Sequence, residues 1–481
     1  MNHRIDFLVF VIFFYTFVMI SPVSGDSSLP LIMTGSGTYS QELYGNSVSC
    51  SGDLNGDGYF DVIVGAPQND LAANNAGAVF IYWGGPQLTL DDIPDVVLTG
   101  PHEYAQFGRV ISCEGDLNGD EFDDLIVGVP AYNSSKTRQD IAGRAQIFFG
   151  SETFDTVADW TVDGAVANAE LGFRACFLGD VSGDLANDFA LSYLTFEPEK
   201  TWHIALFYGG SGLDTTPDAL ISQPVSRFDE AFTVSPAGDF NADGVGDVLI
   251  GSSIDYQTYL YYGGGDPFNT SPQVTFTGEV LGDGFGYAVA GKRGCDFNHD
   301  GADDIVISAP QADTATYEKA GKVYVYFGSE NPDATVDLTY EGDQDLIFFG
   351  GSLSVGRILA DYTWDIVVGA YLYGSPNDIG AVYIFSPATK SALFLQGETN
   401  GDGFGYALDI GGDCNDDSSN DLLISAFYFG VNNNGKAYLY SGQPPDVPAL
   451  GHEAILIVMI LLSFVISLSK LRGLAEQSGD E

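Results

Sequence analysis

Residues 44–67 read YGNSVSCSGDLNGDGYFDVIVGAP, and residues 107–130 read FGRVISCEGDLNGDEFDDLIVGVP. Two segments this alike, 63 residues apart, are an internal repeat, and a repeat of this period decides the architecture before any local pattern does. Working outward, related segments begin at Gly172 (GFRACFLGDVSGDLANDFALS), Phe232 (FTVSPAGDFNADGVGDVLIGSS), Phe285 (FGYAVAGKRGCDFNHDGADDIVISAP) and Phe404 (FGYALDIGGDCNDDSSNDLLISAF). A worn copy, FGGSLSVGRILADYTWDIVVGAY, begins at Phe349. The first aspartates of the acidic loops, Asp53, Asp116, Asp180, Asp239, Asp296 and Asp413, lie 63, 64, 59, 57 and 117 residues apart. The last interval is double because it contains the worn copy.

Each repeat holds four short β-type segments. They are the FG segment, the apolar run after the acidic loop (DVIVG), an aromatic run ending in glycine (VFIYWGG, QIFFG, VYVYFG) and a short run ending in Thr-Gly or a relative (VVLTG, WTVDG, LTYEG). Four strands in about 60 residues, with Gly-rich turns and no helical period, predict a propeller blade. The phase of the repeat is informative. Residues 30–35 (PLIMTG) match a fourth strand yet precede the first FG, while the seventh repeat stops after its third strand at Gly442. The N-terminal strand is therefore expected to complete the last blade, closing the ring without an unpaired edge. The expected fold is all-β: a seven-bladed β-propeller of four-stranded antiparallel blades, with a C-terminal transmembrane helix.

These FG, acidic-loop and GAP segments resemble the FG-GAP repeats of the integrin α-chain N-terminal propeller, over about residues 28–442. The resemblance implies adhesion or extracellular ligand binding, with protein or matrix ligands met on the rim built from loops near Gln68–Gly77, Ala131–Gly143 and Gln311–Gly321. Two departures argue against heterodimerisation with an integrin β-like chain. The propeller runs straight into a linker and an apolar segment with no leg domains, and the tail KLRGLAEQSGDE lacks a GFFKR-type pattern.

The chain carries 66 Asp+Glu against 17 Lys+Arg, a net charge of −49, which excludes nucleic acid as a partner by repulsion of its phosphates. The acid has another use. Calcium takes six to eight oxygen ligands, and alternate side chains of a tight turn can converge on one ion. Asp53, Asn55, Asp57 and Asp61 occupy loop positions 1, 3, 5 and 9, with the carbonyl of Tyr59 at position 7. The equivalent sets are Asp116, Asn118, Asp120, Phe122 and Asp124, then Asp239, Asn241, Asp243, Val245 and Asp247. Asp296, Asn298, Asp300, Ala302 and Asp304 form another, as do Asp413, Asn415, Asp417, Ser419 and Asp421. Asp180, Ser182, Asp184, Ala186 and Asp188 form a weaker one, since Ser182 is a poorer ligand. These are not EF-hands: position 12 is Val64, Val127 or Ile307 where a bidentate Glu is needed. Zinc is disfavoured, because no Cys or His set has ligand spacing. About six Ca2+ sites are expected, on one rim, stabilising the fold. None is expected in the sixth repeat, where positions 1, 3 and 5 are Arg357, Leu359 and Asp361; Arg357 is expected to neutralise Asp361 or Asp365 instead.

The termini read as addresses. Residues 1–25 predict a signal peptide cleaved before Asp26, with an uncleaved anchor as the competing reading. Residues 26–442 are the propeller and 443–453 a linker. Residues 454–469 predict a transmembrane or sorting helix, short of the roughly 20 residues of a usual span, and 470–481 a short cytoplasmic tail. Five cysteines do not make a disulfide framework, and packing is the favoured role. Asn133 and Asn269 lie in glycosylation sequons. No GxSxG elbow or Cys–His arrangement is present, so no enzymatic activity is expected. The alternatives to ligand binding are a structural surface-layer component and a carbohydrate- or lipid-acting enzyme on a propeller scaffold.

Overall fold

The computed structural model describes residues 29–443, apart from 39–40, 87–92, 134–140, 197–198, 225–231, 266, 360–362, 375 and 431. The chain divides into a unit ending at Gln443 and a unit over Pro444–Glu481. The signal segment, linker, apolar C-terminal run and tail lie outside the described residues. Among the described residues no helix is long and apolar enough to cross a membrane.

The first unit is a seven-bladed β-propeller: seven antiparallel four-stranded sheets whose first strands adjoin in cyclic order. Blade 1 comprises Ser47–Ser49, Val62–Ala66, Ala78–Tyr82 and Val96–Thr99. Blades 2 to 6 repeat this order, and blade 7 takes three consecutive strands, Phe404–Ile410, Asp421–Ala426 and Lys436–Ser441. Its fourth strand is Leu31–Ser36 from the other end of the chain, paired antiparallel with Lys436–Ser441. The expected closure is present.

The second strand of each blade explains the unbroken apolar runs of the sequence. Val62–Ala66, Leu125–Val129, Ile305–Ala309 and Asp365–Ala370 are buried at every residue, because a neighbouring blade covers each sheet face. Alternation of buried and exposed residues reappears only in outer strands such as Ala392–Gln396. Cys50, Cys113, Cys295 and Cys414 are buried free thiols within this packing, the role expected for them.

The FG dipeptide departs from expectation. In blades 1, 2, 3, 5 and 6 it precedes the first strand rather than forming it. Its glycine is left-handed, as at Gly108 (φ 80°), which takes it out of the extended strand. The dipeptide is a clasp between blades. Phe107 forms a parallel bridge with Gly77 of the preceding blade, and Gly108 N–H donates to Gly128 O at 3.1 Å in its own blade. The glycine of the preceding VIVGAP strand meets the same turn: a Cβ on Gly65 would lie 2.3 Å from Gly108 O. FG and GAP are two halves of one inter-blade contact.

Candidate cation-binding loops

Each acidic loop joins the first and second strands of its blade, so all lie on one rim. In blade 1, Asp53 Oδ1 accepts from Gly56 N–H (2.8 Å) and Asp57 N–H (3.2 Å), and Oδ2 accepts from Gly58 N–H (2.8 Å). Asp116, Asp180 and Asp296 make the same three bonds, and Asp239 and Asp413 make two of them. The turn requires positive φ at positions 4 and 6, which Gly56 (70°) and Gly58 (93°) adopt without a Cβ penalty. His299 occupies position 4 of its loop, exposed and left-handed at φ 62°.

Position 3 supports position 5: Asn55 Nδ2 donates to Asp57 Oδ2 at 3.1 Å, and Asn118, Asn241, Asn298 and Asn415 do the same to Asp120, Asp243, Asp300 and Asp417. Ser182 turns instead to Asp180 Oδ1 at 3.4 Å, leaving Asp184 without this support. The position-7 N–H groups of Tyr59, Phe122, Ala186, Val245, Ala302 and Ser419 donate to the position-5 carboxylates at 2.9–3.1 Å. Among the described residues, no three His, Cys, Asp or Glu side chains converge as a metal site as they stand. The loop carboxylates are turned to backbone donors: at position 1 the Oδ1 atoms of Asp53, Asp116, Asp180 and Asp296 accept two or more bonds, while each Oδ2 accepts one from the loop backbone and keeps a lone pair.

Position 9 differs from the rest. Asp61, Asp124, Asp188, Asp247, Asp304 and Asp421 are fully buried. Each accepts the N–H of position 2 through Oδ2, from Leu54, Leu117, Val181, Phe240, Phe297 and Cys414 at 2.6–3.0 Å. In five blades Oδ1 accepts the N–H of the first glycine after the third strand, as Gly84 does for Asp61 at 3.0 Å. Asp421 Oδ1 is buried beside the equivalent glycine, Gly442, whose N–H donates to Asn420 O at 3.0 Å. Burial pushes these carboxyls up, to about 8 for Asp61 and Asp421, about 7 for Asp124, Asp247 and Asp304, and about 6 for Asp188, against the lowering effect of their backbone donors.

The sixth blade keeps this clamp without the other loop positions: Asp365 Oδ2 accepts from Ile358 and Leu359 N–H, both at 2.8 Å. Position 9 therefore has a structural task of its own. The Arg357 guanidinium lies 5.4 Å from the centre of the Trp364 ring, and Asp361, one of its two expected partners, lies outside the described residues. Leu359, apolar at position 3, packs into the core beside Ile358 and Ile410.

Two recurring roles escaped the sequence reading. Position-2 residues are apolar or Cys and buried, and their carbonyls accept from the following blade: Ser151 N–H to Leu54 O at 2.8 Å, Gly264 N–H to Val181 O at 2.9 Å and Gly85 N–H to Cys414 O at 2.8 Å. In blades 1 to 5 the residue before the fourth strand caps the end of the third. Asp95 Oδ2 accepts Trp83 N–H at 2.9 Å, with Asp159, Asp218, Gln273 and Asp337 in the same place in blades 2 to 5. The recurring PD, AD, PQ and VD dipeptides were the available signal.

On the opposite rim, Gln68, Asn75, His102, Tyr104, Gln106 and Asn133 line a cavity of about 800 Å³ between blades 1 and 2. It draws on the expected loops near 68–77 and 131–143. Asn133 is only 4% exposed, whereas the other sequon asparagine, Asn269, is exposed. A chain of ring contacts runs through blades 5 to 7 on this rim, from Tyr287 to Phe348 (5.2 Å), Tyr371 (5.1 Å), Tyr406 (5.5 Å) and Phe427 (4.2 Å).

The chain carries FG-GAP repeats and folds as an integrin-α-like β-propeller. The FG-GAP repeat model matches residues 45–82 and 285–326, within the first and fifth repeats. Integrin alpha-5 of Xenopus laevis is 30% identical over 238 residues, which are 46% of this chain and 22% of that protein. Integrin alpha-7 of Rattus norvegicus is 36% identical over 163 residues, 32% of this chain and 14% of that protein. Phosphatidylinositol-glycan-specific phospholipase D of Bos taurus is 24% identical over 389 residues, 70% of this chain and 45% of that protein. The matched stretches thus cover less than half the length of each of these relatives.

Proposed function

We propose that this protein is a calcium-stabilised propeller displayed at a cell surface, where it binds an extracellular protein or glycan ligand in an adhesive role, without catalysis. The observation that carries this reading is the contrast between the two rims. One holds six acidic loops of a single design. The other holds the cavity between blades 1 and 2 and an aromatic surface on which Tyr287 and Tyr428 are 37% and 41% exposed. Aromatic rings with neighbouring polar groups supply rigid contact area at low entropic cost, which suits recognition. The similarity to integrin α chains supports the same reading.

Calcium is the cation that suits the loops. Their donors are carboxylate and amide oxygens, which favour a hard ion, and the raised carboxyls at position 9 are groups that a nearby cation would hold ionised. Residues at positions 1, 3 and 5 would supply its ligands, while position 9 would contribute alongside its clamp. Ions that bind only the folded chain raise its stability by mass action.

Display at the surface rests on the apolar terminal segments. Labelling intact expressing cells with a membrane-impermeant amine reagent is expected to tag the propeller through exposed lysines. Labelling only after lysis contradicts this reading.

A further inference from the structure

The acidic loops do not stand alone on their rim. The N–H of position 8 in one blade donates to the position-1 carbonyl of the preceding blade: Asp123 to Asp53 O at 3.2 Å, Asp303 to Asp239 O at 3.0 Å, and across the closing seam Phe60 to Asp413 O at 3.2 Å. In two seams the position-8 side chain adds a second bond in the opposite sense. Asp123 Oδ2 accepts the N–H of Asp53 at 2.8 Å, and Asp303 Oδ2 accepts the N–H of Asp239 at 2.6 Å. Asp303 is 6% exposed and spends its other oxygen on Gly294 N–H at 2.8 Å, which fixes its orientation.

Position 1 is the residue on which each loop is built, because its carboxylate takes the N–H groups of positions 4 to 6. Fixing its backbone from both sides sets where that carboxylate points. We infer that Asp123 and Asp303 are positioning residues for the cation loops of the preceding blades, so that the blade 1 and blade 4 sites are each completed by a side chain of their neighbour. This rests on the calcium reading above. The position-8 carboxylate itself is turned to the backbone and is not among the proposed ligands.

The test uses the full chain, titrated with calcium and followed by hydrogen exchange in peptides covering each loop. In Asp123→Ala, the calcium concentration giving half-protection of residues 53–61 is expected to rise about tenfold, the scale of a backbone donor left without its partner. Residues 180–188 should keep the wild-type midpoint. Asp123→Asn retains an oxygen acceptor for the Asp53 N–H and is expected to stay within about threefold of wild type, since it removes only a charge. Equal loss in both variants would mean that charge acts rather than the hydrogen bond, and contradicts the inference. So does a shift confined to residues 116–124, or no shift at all; in these cases calcium binding itself stands. No calcium-dependent protection in the wild type overturns the inference together with the calcium reading. If Asp123→Ala does not fold, Asp303→Ala and Asp303→Asn put the same question to residues 239–247.

Discussion

Replacing Gly435 with alanine is expected to destabilise the ring by about 4 kcal/mol or more, measured by urea unfolding of the calcium-saturated protein. Gly435 is left-handed (φ 85°) and forms a parallel bridge with Tyr44, at the seam where blade 7 meets blade 1. An added Cβ would lie 1.9 Å from Tyr44 O and 2.8 Å from its N. Both are backbone atoms held in the clasp, so nothing can yield without parting the blades. The same seam relies on Leu31–Ser36 to supply the last strand of blade 7, and that strand has no covalent link to blade 7 nearby in sequence. Gly430 is the control. Its φ is also 85°, but a Cβ there meets nothing within 4 Å, so Gly430→Ala should cost only about 1 kcal/mol of backbone strain. Equal effects at the two positions would show that the cost is conformational and that the blade contact contributes nothing.

The second large effect is a pH dependence that calcium removes. Six position-9 carboxyls are pushed up to between about 6 and about 8 by burial, from the roughly 3.9 of an unfolded Asp. A group with a raised folded value contributes stability that is fully present below its unfolded value and is lost as pH rises through the folded one. Calcium-free protein should therefore be more stable at pH 5 than at pH 8, by on the order of several kcal/mol, with a melting temperature lower by roughly 10 °C at the higher pH. Saturating calcium should remove most of this fall, because a cation beside the carboxylates favours their ionised form. A calcium-free melting temperature that is flat or rising between pH 5 and 8 contradicts this account of the buried aspartates.

The ring was legible because its signals are redundant. Seven copies of one pattern define the blades, and the displaced PLIMTG segment announces the closure. What could not be read locally was anything that depends on the next blade. Phe107 and Gly108 look like a strand start in isolation; only their contact with Gly77 and Gly65 shows a clasp. Asp61 looks like one ligand among several, but its buried bonds to Leu54 and Gly84 N–H make it a clamp on the blade, and the sixth blade retains that clamp at Asp365 where the loop has changed. The contact of Arg357 with the Trp364 ring was not legible either, since the sequence does not show that the ring lies within reach of its guanidinium. Asn133 carries a sequon whose asparagine the fold buries, its backbone N–H donating to His102 Nε2 at 3.1 Å.

The most direct test of the central claim is the number of calcium ions held by the metal-stripped full chain, determined by equilibrium dialysis against labelled calcium with melting followed in parallel. The loops predict about six ions and a large rise in melting temperature on loading. No bound calcium and an unchanged melting temperature would mean that the acidic loops are turns alone, and would remove the cation from this account of the protein.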